Sequence, residues 1–303
     1  MADLAAHKGF GVAGIAPLEL DAQSPLSEMY TLSPFVWCEG SAFKLLVRAV
    51  NHSEVAAEKV ARIYYGTSSD GLRFEMGANP VLAPGPDSVD KDGCEDPTVA
   101  MVHGTYHVYY TGWNQAALRG QLLLASGPNI YGLVKRDVAL TMKLGWENPK
   151  EATIVQASDG SWRLFFEYAT GGASKIGLAS GPAVDGPWTV LEPLFDTRNE
   201  SWDSWHLSTG PVLMSDPKRP VMFYNGATMR AEWRIGWIVF DERFERVVAR
   251  CEAPLMVPPP ARETGDTDIA FAASAVQEKD GKVSLYYSIS DKDMFCATVV
   301  ATP

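Results

Sequence analysis

Acidic or imidazole side chains recur at nearly constant distance along this chain. Glu39, the pair Glu95-Asp96, Glu151, His206 and Asp266 (or Asp268) each stand ahead of a short apolar run. From Asp96, Glu39 lies 57 residues back and Glu151 55 residues ahead; His206 follows after 55 more and Asp266 after another 60. A lone Asp or Glu before a strand is ordinarily a solvated turn residue. Five matched positions carry more weight, because they can aim their side chains into one pocket. Clustered carboxylates perturb one another, so that one keeps its proton near neutrality while its neighbour stays ionised. Cleavage of a glycosidic bond needs that combination of proton donor and ionised carboxylate. Trp37, Trp113, Trp205 and Trp233 lie close to these positions and offer faces for sugar rings, although each also suits core packing.

The elements that must carry these residues repeat too. LASGP occurs at 124–128 and again at 178–182. An aromatic strand precedes each copy: HVYYTGW from His107 and RLFFEYA from Arg163. VMFYNGA from Val221 and SLYYSIS from Ser284 are further copies, and KLLVRAV from Lys44 is a degenerate one. Their alignment places Arg48, Tyr110, Phe166, Tyr224 and Tyr287 at one position. Five units in 303 residues leave about 61 residues each, the size of a four-stranded blade. Turn chemistry agrees: His103-Gly104, Asp159-Gly160 and Asp280-Gly281 fall between a first apolar strand and the aromatic one, Asp216-Pro217 takes that place in the fourth unit, and Asp70-Gly71 closes a later hairpin.

The predicted fold is therefore all-β, a five-bladed β-propeller formed by residues 1–303 as a single domain. A pair of β-sandwiches is the alternative, but sandwich strands do not recur as blocks of this length. The last unit stops at its third strand, MFCATVV, so residues 1–33 are expected to supply the missing outer strand. The proline-rich stretch 255–265 reads as a long approach to the fifth blade. With 26 basic against 37 acidic residues, a formal −11, the chain is no candidate for binding nucleic acid or an anionic membrane. No apolar stretch approaches the roughly 18 residues of a spanning helix, and no secretion signal is legible, so a cytoplasmic protein is expected. Cys38, Cys94, Cys251 and Cys296 lack CxxC spacing, and Cys38 and Cys94 are expected as two buried thiols. No metal-binding spacing, phosphate-binding loop or nucleophile elbow is found, so no cofactor is expected. The implied partner is a small oligosaccharide; a homo-oligomer is compatible with the sequence.

The block GCEDPTVAMVHGTYHVYYTGW at 93–113 is similar to the Gly-x-Glu-Asp-Pro-Arg block of glycoside hydrolase family 130, the propeller phosphorylases and hydrolases of β-mannosides. SSDGLRFE, the LLVR strand, KEATIV and GDTDIAF ahead of YYSISD support the resemblance, which covers about 32–300. It implies that Asp96 is the general acid, acting in the phosphorylases through a sugar hydroxyl, and that Arg48, Asp70, Glu95 and Asp266 hold the mannosyl unit. Glu151 is then the candidate base, with Glu39 second. Thr98 stands where the family has arginine, and Asn114-Gln115 where phosphorylases tend to show Arg-Asn. A phosphate subsite needs fixed cations. Lys150, Arg119 and His206 are the anion ligands that remain, so hydrolysis with inversion is favoured and inorganic phosphate is kept as a possible co-substrate. WENPKEATIVQASDGSWRLFF and GLASGPAVDGPW also resemble the third blade of glycoside hydrolase family 43, which would make Glu151 the acid, Glu39 the base and arabinosides or xylosides the substrates. The Glu-Asp-Pro block decides for family 130. A sugar-binding propeller without turnover is the rival from another class.

Overall fold

The computed structural model describes residues 9–53, 55, 58–86, 89–260, 267–278 and 281–302. Among them there is no α-helix; two single-turn 3-10 segments interrupt a succession of 24 strands. The strands fall into antiparallel groups at the intervals of the sequence repeat. The first group (Met29–Glu39, Ala42–Asn51, Ala61–Ser68, Arg73–Met76) and the second (Gly93–Val102, Thr105–Asn114, Arg119–Gly127, Val134–Val138) join through a single parallel bridge from Ala61 to Gly93 and, with Glu19–Asp21 added parallel to Arg73–Met76, make one nine-stranded sheet. The third comprises Glu147–Gln156, Trp162–Thr170, Ala173–Gly181 and Thr189–Leu191. The fourth is broken into two short sheets, one over His206–Ser208, Asn225–Ala227 and Trp233–Ile235, the other starting from Val212–Leu213 and Val221–Met222. Pro211, which has no N–H to give a ladder, lies in the break between Ser208 and Val212. In the fifth, Ala270–Gln277, Val283–Ile289 and Asp293–Thr302 are completed by Gly9–Pro17, which runs antiparallel to the last strand with Gly9 opposite Thr302. The expected closing strand is thus supplied by the N-terminal segment.

The aromatic strand is what binds each group to its neighbours. Consecutive residues of a strand point to opposite faces, and the central pair of every second strand uses both. Tyr110, Phe166, Tyr224 and Tyr287 pack toward the preceding group; Tyr109, Phe165, Phe223 and Tyr286 pack toward the following one, Tyr286 against the first. In the first group this pair is Leu46 and Val47. Val47, not Arg48, therefore occupies the place of Tyr110, and the alignment read from sequence is one residue out in that unit. Two of the tyrosines also reach a buried aspartate from the preceding loop: Tyr110 Oη donates to Asp90 at 3.0 Å and Tyr224 Oη to Asp203 at 2.6 Å. Asp90 is ion-paired to Lys135, and Asp203 to Arg198 and Arg250, so neither charge is left alone.

The turn dipeptides behave as read. His103 and Gly104 both have positive φ, 49° and 76°, the geometry of a tight hairpin. Asp280 and residues 261–266 lie outside the described residues, as does the end of the proline-rich approach. All four cysteines are free thiols, Cys38 exposed instead of buried and the other three buried. No helix among the described residues is long and apolar enough to cross a membrane.

Phe10 of the closing strand packs edge-on against Phe223 and Trp237, with centroids 5.5 and 5.6 Å away. Phe10→Ala is expected to lower the unfolding free energy by about 2 kcal/mol, less than the ~3–5 kcal/mol of a fully enclosed phenylalanine because its ring is half-buried. Urea unfolding followed by tryptophan fluorescence checks this, and Val12→Ala on the exposed side of the same strand should change little.

Candidate active site

Pairing register identifies the residues that correspond across the groups. Arg48, Thr111, Glu167, Asn225 and Ser288 follow the central pair on the second strands, opposite Leu32, Glu95, Lys150, Ser208 and Phe271 on the first. Immediately beyond these the first strands bulge, so that two residues face one. The residues entering the bulge are Ser33, Asp96, Glu151, Thr209 and Ala272. Ser33, Asp96 and Glu151 hold φ of 51°, 49° and 50°, the left-handed region that costs a side-chain-bearing residue conformational energy. A bulge of this kind turns a side chain out of the strand's alternation. Only two of the corresponding positions are carboxylates, contributed by the second and third groups.

Hydrogen bonds lock these bulges together. Thr98 Oγ1 donates to the Ala152 carbonyl at 2.5 Å and Thr153 Oγ1 to the Gly210 carbonyl at 2.9 Å. Asn225 spans to Ala272, accepting from its N–H at 2.7 Å, and Ser274 Oγ donates to the Pro34 carbonyl at 2.7 Å. Ser33 Oγ donates to Asp96 Oδ1 at 2.8 Å. Thr209 Oγ1 donates to the Glu151 carbonyl. Gly210 admits no larger residue, since a Cβ there would sit 1.8 Å from the Phe223 carbonyl oxygen. The threonine at 98 is therefore a tie between strands, in the position that the sequence comparison marked as a missing arginine.

Above the bulges lies a cavity of about 310 Å³ lined by Ser33, Arg48, Asp96, Lys150, Glu151, Glu167 and Asp291, with Tyr30, Trp233 and Phe271 among its apolar walls. Arg48 reaches Glu95 at 2.9 Å and Asp96 at 3.2 Å. Burial opposes its charge, but Glu95 and Asp96 hold its pKa above the ordinary value. Asp96 is 5% exposed. Burial pushes its carboxyl up, yet Arg48, Lys150 and hydrogen bonds from Ser33 and Glu151 outweigh that and hold it below the carboxylate range. Glu151 goes the other way: burial and the Asp96 charge raise it well above its ordinary value. The Glu151 carboxyl hydrogen-bonds to Asp96, so the two share one proton, which rests on Glu151. Lys150, half-exposed on the wall, pairs with Glu167 at 3.3 Å and is held charged by it. Glu167 also accepts from Ser174 Oγ at 2.7 Å. Asp291, at positive φ in the hairpin after Ile289, has its carboxyl raised by burial against the pull of Arg48.

Of the residues singled out in the sequence, Arg48, Asp96, Lys150 and Glu151 meet in this cavity, and Glu95 stands behind Arg48. His206 does not line it. Its Nδ1 accepts from the Ser174 N–H at 3.0 Å and its ring lies 5.5 Å from Trp233, which it backs. Glu39 is far along its strand from the bulge at Ser33, held by Trp37 Nε1 at 2.7 Å and Tyr106 Oη at 2.6 Å. The Cys-Glu it shares with Cys94-Glu95 is a coincidence of residues; the true counterpart of Asp96-Pro97 is Ser33-Pro34. Asp70 caps its own turn through the Leu72 and Arg73 N–H groups, both 2.9 Å away, and lines a separate surface depression. Trp113 donates to Gln115 and Asn114 caps the following hairpin at the Ala117 N–H, both outside the cavity. Of the four tryptophans only Trp233 is a wall. Asp266 lies outside the described residues. Glu167, Asp291, Ser33 and Lys59, the last also lining the cavity, were not found by sequence reasoning. Among the described residues, no group of three or more His, Cys, Asp or Glu is arranged to hold a metal ion.

Comparison with known proteins places this geometry in a family. The model of glycoside hydrolase family 130, described as beta-1,4-mannooligosaccharide phosphorylase, matches residues 34–301. A 1,2-beta-oligomannan phosphorylase of Thermoanaerobacter sp. (strain X514) is 22% identical over 260 residues, 84% of each chain. The solved structure of β-1,2-mannobiose phosphorylase from Listeria innocua with β-1,2-mannobiose superposes with a TM-score of 0.74 at 18% identity, covering 98% of this chain and 92% of that one. Another, from work on family 130 glycoside hydrolases that target β-1,2 mannosidic linkages in Candida mannan, gives a TM-score of 0.77 at 23% identity over 97% and 94%. The chain belongs to glycoside hydrolase family 130, a family of phosphorylases and hydrolases of β-mannosides.

Proposed function

We propose that this chain cleaves β-mannosidic linkages, β-1,2 bonds foremost, with inversion at the anomeric carbon and with water favoured over phosphate as the attacking group. The supporting fold reading is a five-bladed propeller whose groups surround the cavity, in keeping with the packing of the fifth group on the first and with the ties between successive bulges. The observation that carries the chemical reading is the hydrogen-bonded pair of carboxyls, Asp96 and Glu151, in a polar cavity with an aromatic wall. An inverting pair that flanks a sugar stands about 6.5–9.5 Å apart. Asp96 and Glu151 are in contact, which argues for one proton-holding unit on the leaving-group side, not for an acid facing a base. In this reading Asp96 meets the leaving oxygen or a sugar hydroxyl and Glu151 replenishes its proton; the attacking water is drawn to Asp291, whose raised carboxyl suits a base working near neutrality. Trp233 offers its face to the mannosyl ring.

Preference for water follows from the cations. Arg48 is engaged by Glu95 and Asp96, and Lys150 by Glu167. A phosphate dianion entering here meets carboxylates that already hold the fixed positive charges. Phosphorolysis with the same acid is the second reading, favoured by the names of the Thermoanaerobacter and Listeria relatives.

Incubation with β-1,2- and β-1,4-mannobiose, with and without phosphate, is expected to release mannose in every arm at a rate phosphate does not change. Accumulation of mannose 1-phosphate would reverse the preference, and no product in any arm would leave a sugar-binding protein. Asp96→Asn and Glu151→Gln are each expected to cost about 10²–10⁴-fold in kcat, with unfolding midpoints close to that of the wild type.

The pH profile has a definite sign. Turnover needs one proton on the pair and an ionised Asp291, so it falls as pH rises through the raised Glu151 ionisation, and falls on the acid side as Asp291, itself raised, takes up a proton. Asp96→Asn removes the negative neighbour, so the alkaline limb of its residual activity should move to lower pH. A limb that stays in place would separate the two carboxyls.

A further inference from the structure

The Asp96–Glu151 pair has a second side. Beneath the catalytic cavity lies a separate space of about 20 Å³. Ser33, Asp96 and Glu151 line both, and the rest of the lower wall comes from residues further along the first strands, Thr98 and Thr153 among them. The two carboxyls are therefore the partition between the spaces. The lower one has room for a single water molecule, which needs at least about 10–15 Å³, and for nothing larger.

The chemistry of the wall selects the occupant. Four hydroxyls line the space, and each already donates its one proton within the protein: Ser33 to Asp96, Thr98 to the Ala152 carbonyl, Thr153 to the Gly210 carbonyl and Thr209 to the Glu151 carbonyl. The Glu151 proton is engaged by Asp96. Only acceptor lone pairs remain on these side chains, so the occupant must donate. Water does so at this size, whereas a metal cation would favour the ionised form of Glu151 and expel the proton it holds. Ala273 closes the space from the fifth group and keeps accessible surface there, between buried Ala272 and Ser274.

The position answers a need of the reaction. After Asp96 has passed a proton to the leaving oxygen and Glu151 has replenished it, both carboxyls are ionised and in contact. The attacking water has meanwhile given a proton to Asp291. One proton must then leave Asp291 for the solvent, and one must reach the pair. Product in the catalytic cavity covers the pair from above, and the lower space stays clear of it.

We propose that the lower space holds one ordered water that hydrogen-bonds to Glu151 and returns its proton from the side away from the sugar, with Ala273 as the positioning residue that leaves the water its room. A hydrated proton from the solvent passes through this water to the Glu151 carboxylate, and neutral water remains. It balances the proton released at Asp291, so no further reactant is required. The inference rests on the glycoside-cleaving reading of the pair.

The test compares Ala273→Leu, which fills the space, with Ala273→Ser, which leaves it open. In Ala273→Leu the first turnover of β-1,2-mannobiose, followed by rapid quenching, should keep the wild-type rate, and kcat/KM should change little. Steady-state kcat should fall about 10²-fold, the lower end of what a positioned proton donor contributes. That slow step should carry a solvent isotope effect, which slow product release would not. Ala273→Ser should behave as wild type, and Ala273→Val replaces the leucine variant if the latter unfolds. Slowing of the first turnover together with kcat/KM would indicate a structural effect and overturn the proton route, as would an unchanged kcat. A crystal structure of the wild type should show one water at ~2.6–3.2 Å from a Glu151 carboxyl oxygen. Empty density, or a peak whose strength follows the sodium or potassium concentration, would overturn the water site. Absence of any turnover in the wild type would strike the catalytic reading and the proton route with it, while the density would still decide the water site.

Discussion

Two carboxyl groups from different sheets are kept in contact in a space that will not tolerate two negative charges. Asp96 and Glu151 belong to strands that share no ladder hydrogen bonds, so their approach depends on what joins the sheets. The Thr98 hydroxyl on the Ala152 carbonyl is the nearest such tie, two residues from one carboxyl and one residue from the other. Thr209 on the Glu151 carbonyl is another. Both act on the backbone of the bulges, where φ near 50° leaves a side-chain-bearing residue with little intrinsic preference for its place. Strain at the two acidic residues is offset by cross-sheet hydrogen bonds and by the packing of aromatic pairs that press neighbouring groups together.

Given that contact, the protonation pattern follows. Removing a carboxylate from water is costly, and removing two side by side is more so. Arg48 touches Asp96 directly, whereas it acts on Glu151 only at longer range, after burial, Asp96, Lys150 and Glu167 in strength. The ionised form therefore settles on Asp96 and the proton on Glu151. Glu95 completes the arrangement from behind by sharing the guanidinium, although burial raises its own carboxyl. Arginine is suited to this because its planar fork serves two carboxylates at once and keeps its charge when buried.

Much of this was legible from residue types. Aromatic pairs at one place in four of the five repeats, turn dipeptides with tolerance for positive φ, and a final unit one strand short are local signals, and each corresponds to a feature of the structure. Asp96 and Glu151 were also found, because their units are nearly equal in length and both strands begin close to the bulge. Glu39 was drawn in by its spacing of 57 residues from Asp96, a match that register does not support; Ser33-Pro34 was the better match to Asp96-Pro97, but serine carries no charge to draw notice. His206 sits at an expected spacing, yet the fourth group is broken at Pro211, and its bulge residue is Thr209. Arg48 was named through the family resemblance; the repeat alignment, one residue out in the first unit, had set it at the packing position, whereas it is the residue next to the packing pair that faces the cavity.

Glu167 escaped detection because it comes from the second strand, where an acidic residue next to aromatic neighbours resembles an exposed edge position; Asp291 comes from the hairpin after a second strand, where an exposed acidic residue is unremarkable. The burial of Glu167 is a property of the assembled groups, since it arises only when the second strand of one unit is set against the first strands of others. Asp70 is the converse case: Ser-Ser-Asp-Gly is so strong a turn sequence that the carboxylate is satisfied locally by the N–H groups two and three residues on, and backbone hydrogen bonds at Arg73 and Leu72 hold its pKa down to about 2. A carboxylate satisfied by its own turn needs no distant partner, whereas one placed on a bulge, with its backbone tied to the next sheet, has its charge decided by side chains the local sequence does not contain.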